Sequence, residues 1–144
     1  MYPMLVLLAA IAGCAHRPPP APEKPQIAYG CPVGTKQVHS MGDLIAYKVE
    51  SAGEVKDISV PELQCSMQGD VLRIDFTLAN SGAYVRRIAY RFDWIDRDGR
   101  KAWNDESWKP VYLYEHSRQT VMSTAPASGA VDFRLVLLDA DKKR

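Results

Sequence analysis

The chain has 144 residues, of which 24% are charged and 47% hydrophobic, which is material for one domain with a real core. Its 18 basic and 17 acidic residues leave a net charge of +1. That balance excludes the strongly cationic surface of a nucleic-acid binder.

Charge is unevenly placed, with none before Arg17. Met4 to Ala12 reads MLVLLAAIA, an apolar run too short to span a bilayer, which takes about 20 residues. It suits the hydrophobic region of a signal peptide over residues 1–13. The run ends in Ile11-Ala12-Gly13-Cys14, which resembles the lipobox of bacterial lipoproteins. Small residues there admit the backbone to the peptidase, and the thiol becomes the thioether that carries diacylglycerol. The resemblance implies diacylglycerol and an acyl chain such as palmitate on Cys14, and no other cofactor. Two or more buried chains, at about 0.8 kcal/mol per CH₂, give a durable anchor where one does not. Ala15 follows, with no Asp at that place. By resemblance to Gram-negative sorting, this implies the periplasmic face of the outer membrane. An ordinary cleaved signal with an incidental Cys14 is the other reading.

The cysteine count follows from this. Setting Cys14 aside leaves Cys31 and Cys65, an even pair in an oxidising compartment, and a disulfide between them is expected. Two free buried thiols are the alternative. A metal site is not expected, because the two lack the close pairing of zinc ligands. Residues 14–26 carry the lipid-bearing cysteine and then a tether, with five of the ten prolines between Pro18 and Pro25. Such a stretch is extended, and Ala15 to Gln26 reaches about 37 Å at about 3.1 Å per residue.

The remainder, 27–144, is expected to be one periplasmic domain. Leu44 to Val49 and Ile58 to Met67 are expected strands, the second broken by Pro61. In Asp70 to Ala79, Leu72, Ile74, Phe76 and Leu78 alternate with polar residues, the period of a half-buried strand. Asn80-Ser81-Gly82 is a turn. From Tyr84 to Asp96, Ile88, Tyr90, Phe92 and Trp94 fall on one face. Arg87, Arg91 and Asp93 fall on the other. Asp96-Arg97-Asp98-Gly99 reads as a hairpin turn. A short strand is expected near Lys101 to Trp103. Pro110 should break the ladder before a strand from Val111 to Tyr114. Gln119 to Thr124 and Val131 to Leu138 complete the set. In the last, Val131, Phe133, Leu135 and Leu137 face inward, while Val136 and Leu138 indicate a second covered face. About seven short strands without a long helix indicate an all-β, immunoglobulin-like antiparallel β-sandwich. A small barrel is the alternative.

Tyr90-Arg91-Phe92-Asp93-Trp94-Ile95-Asp96-Arg97-Asp98-Gly99 resembles the central strand and turn of the YcfL-like bacterial envelope lipoproteins. The resemblance extends through Lys109-Pro110, His116-Ser117 and the Phe133 to Leu137 strand. It implies an envelope lipoprotein with a sandwich-like domain and supplies no catalytic residues. Ile95 departs from it, standing where an aromatic is usual.

The residues offer little chemistry. His16, His39 and His116 are scattered, and no metal-ligand, nucleophile or phosphate-loop spacing occurs. Asp93, Asp96 and Asp98 lack the spacing and distal Glu of a calcium loop and read as one solvent-facing residue plus turn residues. Glu115-His116-Ser117 has triad composition, but neighbours in an extended segment point apart. No enzyme activity is expected. Trp103, Trp108, Tyr112 and Tyr114, beside Arg87 and Arg91, form the candidate interaction surface. The two tryptophans instead cap the core if they are buried. Arg86, Arg87 and Arg91 read as a basic stripe, either a solvated face or a contact for an acidic partner. The leading expectation is a non-enzymatic accessory or structural module that docks on an envelope protein. The alternative is a peptidoglycan or other glycan binder that stacks exposed aromatics on sugars.

Overall fold

The computed structural model describes residues 18–21, 26–103 and 106–142. The expected signal peptide and Cys14 lie outside the described residues. Pro18 to Ala21 is exposed and has no regular structure.

The period-2 stretches become the strands of a sandwich. In chain order the described elements are β1 Gln26–Ala28, β2 Cys31–Gly34, α1 Met41–Lys48 and β3 Val49–Ser51. β4 Ile58–Gln68, β5 Val71–Asn80 and β6 Arg86–Ile95 follow, then β7 Lys109–Leu113, β8 Arg118–Thr124 and β9 Asp132–Asp139. A four-stranded sheet in the order β3-β9-β6-β7 faces a three-stranded sheet, β4-β5-β8. Every neighbour in the two sheets is antiparallel except β3, which runs parallel to β9. The two sheets hold seven strands, of which β4 to β9 fall where strands were expected, and β1–β2 is a separate hairpin. In immunoglobulin terms β4, β5 and β8 take the places of A, B and E, while β7, β6 and β9 take those of C′, C and F. The place of strand G is taken by β3, from the other end of the domain.

Leu72, Ile74, Phe76 and Leu78 of β5 meet Ile88, Tyr90, Phe92 and Trp94 of β6 between the sheets, and all are buried. Phe92 stacks on Trp94 with ring centroids 4.8 Å apart and meets Phe76 and Phe133 edge-on, each at 5.8 Å. On β9, Phe133, Leu135 and Leu137 face inward as expected, whereas Val131 precedes the strand and is exposed. Val136 is buried on the outer face.

Four local expectations are corrected. Leu44 to Val49 is not a strand, since α1 runs to Lys48 and β3 is only Val49–Ser51. Ser40 caps the helix by accepting the Asp43 N–H at 3.1 Å, and Asp43 accepts the His39 N–H in return. Leu44 and Lys48, one turn apart, are the buried residues of the helix. Pro61 does not break β4 but sits where its register with β5 shifts, between Ser59 and Glu62. Pro110 does not interrupt the ladder and pairs with Ala89 inside β7. Both prolines are tolerated because β4 and β7 are edge strands. The strand expected near Lys101 is reduced to a single bridge between Ile95 and Lys101.

Cys31 and Cys65 form the expected disulfide, with Cα atoms 4.7 Å apart. It pins the β1–β2 hairpin to β4. The hairpin turns at Tyr29 and Gly30, with φ of 52° and 76°. A Cβ on Gly30 would lie 2.0 Å from the Cys65 carbonyl oxygen, so the close approach requires glycine. The Cys65 N–H donates to the Tyr29 carbonyl at 3.2 Å.

Lys48 is fully buried. Its ammonium donates to the Asp132 carboxylate and lies 4.6 Å from the Tyr47 ring centre and 5.1 Å from that of Phe133. Burial pushes its pKa below the ordinary 10.5, and the bond to Asp132 opposes that shift. Between the lowered value and 10.5 the unfolded chain binds more protons. Lys48 therefore makes stability rise with pH across that window and is a constant cost below it. Tyr90 has the opposite sign. Burial raises its phenol above 10.0, so its contribution is lost as the pH climbs past that value. Lys48→Met should abolish the first trend only, because Arg134 still pairs with Asp132 at 3.6 Å. Urea unfolding of both proteins at neutral and alkaline pH measures the difference.

Candidate functional site

The structure divides the expected aromatic surface in two. Alternation along β7 buries Val111 and Leu113 and turns Tyr112 outward, 57% exposed. Tyr114 follows at the end of the strand and is 67% exposed. Trp103 is instead partly buried against the core. Trp108 is half-buried, with the Arg91 guanidinium 4.7 Å from its ring centre. The tryptophans are thus packed and the tyrosines free.

The basic stripe resolves into separate pairs. Arg86 meets Asp57 at 3.2 Å. Arg87 lies 3.4 Å from Asp141 and donates to the Ala140 carbonyl at 2.9 Å. Arg91 lies 3.6 Å from Asp93, which Lys101 also approaches at 3.1 Å. Each arginine of the stripe thus has a carboxylate beside it, with that of Asp93 shared between Arg91 and Lys101. Asp96 is a turn residue whose carboxylate accepts the N–H groups of Asp98 and Arg100.

Tyr112 and Tyr114 belong to a larger rim that also contains Tyr84, 74% exposed, and Val85. The sequence offered no sign of these two, because the segment reads as the start of a strand. What assembles the rim is Asn80, buried at the end of β5. Its amide nitrogen donates to the carbonyls of Tyr84 at 2.8 Å, Leu113 at 3.2 Å and Tyr114 at 3.0 Å. Its oxygen accepts the Gly82 N–H. The His116 N–H reaches back to the Gly82 carbonyl at 3.3 Å, and the Ser117 hydroxyl donates to Tyr114 at 2.7 Å. Two loops are thereby tied into one platform. Tyr112 sits opposite Arg87 in the β6–β7 ladder. Asn80→Ala should cost about 1–3 kcal/mol through the orphaned carbonyls. It should also speed amide exchange in Gly82–Val85 and Tyr114–Ser117 selectively, which hydrogen exchange would show.

The opposite end of the sandwich carries a groove of about 780 Å³. Ile27, Pro32, Met67, Leu72 and Val131 line it, with Asp70 and Asp98 among its polar groups. It lies beside β1, whose Ile27 is part of its lining. A smaller cleft of about 330 Å³ includes Glu62 and Asp75. There Glu62 accepts from Thr77 at 3.4 Å and Asp75 from Arg73 at 3.1 Å. Among the described residues no group of three His, Cys, Asp or Glu is placed to hold a metal ion. No described helix is long and apolar enough to cross a membrane.

These features define a small immunoglobulin-like sandwich pinned by one disulfide, with an ordered tyrosine rim at one end. The chain belongs to the DUF1425 family of proteins of unknown function, whose model matches residues 46–139. The match spans β3 to β9, so it includes Cys65 and leaves Cys31 outside. Crystal structures that share the fold include the following two. One is Campylobacter jejuni Cj0090, with TM-score 0.54 and 20% identity over 64% of this chain and 97% of that one. The other is a DUF1425 member from Shewanella sp. pv-4, with TM-score 0.51 and 23% identity over 60% of this chain and 79% of that one. No curated protein matches the sequence.

Proposed function

We propose that the protein is a lipoprotein of the YcfL-like type, held by Cys14 at the periplasmic face of the outer membrane. In this reading it works without catalysis, as an accessory module that docks on another envelope protein. The observation that carries the reading is the tyrosine rim, with Tyr84 and Tyr114 exposed on a backbone that Asn80 fixes and Tyr112 exposed on β7 beside them. Tyrosine combines a large apolar face with a polar tip and loses little conformational freedom on binding, which is why it anchors interfaces. A platform ordered in advance lowers the entropy lost on docking. The rim lies at the end of the strands away from the groove and β1, so it faces outward from an anchored domain.

The test is affinity capture from detergent-solubilised envelopes, with wild type and the Tyr112→Ala/Tyr114→Ala double variant compared. Recovery of the partner should fall at least about tenfold, as loss of two interface anchors implies. Equal recovery would refute the assignment of the rim. Glycan stacking is the second reading, favoured by Tyr112 standing beside Arg87. Retention of wild type, but not of the double variant, on purified peptidoglycan would select it.

A further inference from the structure

The four sheet edges are not equally protected. β3 is three residues long. β7 contains Pro110, which has no N–H to offer. β4 has Pro61 in a register shift, and α1 and the disulfide-linked hairpin pack beside it. Among the described residues β8 has none of these devices. Its seven residues, Arg-Gln-Thr-Val-Met-Ser-Thr, contain no proline, lysine or glycine and pair with β5 without any shift. Long, regular and uncovered edges are what folded proteins ordinarily avoid.

The ladder itself shows which backbone groups are free. The Ala125 N–H donates to the Leu72 carbonyl at 2.8 Å, and the Asn80 N–H donates to the Ser117 carbonyl at 2.9 Å. These bonds flank the β5–β8 ladder in one register, so Gln119, Val121 and Ser123 turn their backbone groups toward β5. Arg118, Thr120, Met122 and Thr124 therefore point theirs outward. Met122 is 60% exposed beside them.

We infer that β8 is a self-association edge, and that its occupant is β8 of a second copy of this chain, running antiparallel. The support is self-complementarity. With Val121 on the two-fold axis, Thr120 faces Met122 of the second copy and Arg118 faces Thr124. Every outward-facing residue of one strand then meets an outward-facing residue of the other, and no backbone group of the edge is left over. The only charged residue, Arg118, never opposes its own copy, so no like charges meet across the seam. A shift by two residues toward the C-terminus would set Arg118 against Pro126 and lose a donor. The result is one six-stranded sheet across two molecules. It uses neither the tyrosine rim nor the lipid anchor, so it stands or falls separately from the proposed function.

The register has a sharp chemical signature. Val121 faces Val121 of the second copy in a non-hydrogen-bonded pair, where Cα atoms are about 4.5 Å apart, inside the range a disulfide needs. Val121→Cys in the full chain should therefore give a covalent dimer on a non-reducing gel under mild oxidation. Gln119→Cys should not, because its own copy lies four residues away along the seam. Wild type is the control for the native cysteines. Adding Thr120→Pro to Val121→Cys removes an outward N–H that nothing among the described residues uses, along with the hydroxyl contact to Thr77 at 3.1 Å, and should cut the covalent dimer at least about tenfold. Met122→Lys serves as a second disrupting change should the proline variant lose its circular dichroism signal. Dimer from Val121→Cys alone, suppressed by either change, supports the inference. Equal crosslinking at Gln119 and Val121, none at either, or crosslinking to a different protein would overturn it.

Discussion

Phe92→Ala is expected to destabilise the domain by about 3–5 kcal/mol, the largest effect of any single substitution considered. Phe92 is fully buried, and its ring touches Phe76, Tyr90, Trp94 and Phe133. It joins β6, in the middle of one sheet, to β5 in the other and to its neighbour β9. Truncation removes both the transferred apolar surface and four ring contacts, and an aromatic cluster fixed by its own edges cannot collapse into the gap. The midpoint of thermal unfolding should fall by about 10–20 °C for a domain of this size. Phe76→Leu, which keeps most of the volume, should cost much less. Calorimetry on the two variants measures the contrast. Equal, small losses would mean that the centre of the core lies elsewhere.

Removing the disulfide, by Cys31→Ser with Cys65→Ser, is expected to cost about 4 kcal/mol in the chain-entropy model. The two cysteines are 34 residues apart and both buried. The loss should be uneven. β4 remains paired along β5, whereas the β1–β2 hairpin keeps only its hydrogen bond from Cys65 to Tyr29 and its apolar contacts. The hairpin should therefore loosen before the sandwich does. Urea unfolding with and without reductant gives the total. Limited proteolysis, with cleavage appearing first near Tyr29 and Lys36, locates it. That the family match begins after Cys31 agrees with a hairpin added to a complete sandwich.

How much of this was legible in the sequence depended on the reach of the signal. Alternation in β5 and β6 is local and strong, and it placed the core face of both strands correctly. The disulfide was the expected pairing once the lipobox resemblance had set Cys14 aside, with two free thiols as the alternative. The helix was missed although its signal was present: Ser40 and Asp43 have the spacing of a cap, and Met41, Leu44, Ile45 and Lys48 have a helical period. Leu44 to Val49 taken alone reads as strand because its apolar residues also fit a short extended run. Pro61 and Pro110 misled because edge position is decided by pairing with distant strands. The same holds for the site. Which of Trp103, Trp108, Tyr112 and Tyr114 is exposed depends on the register of β7 against β6. The inclusion of Tyr84 depends on a buried asparagine that looked like part of a turn.

The tyrosine rim is the central claim, and site-specific photocrosslinking in the native envelope tests it most directly. A photoreactive residue is placed at Tyr112 or Tyr114, and at Gln64 on the exposed face of the other sheet as the reference. The account predicts one discrete protein adduct from the two rim positions and none from Gln64. Adducts from Gln64 alone, or no adduct from either rim position, would contradict it.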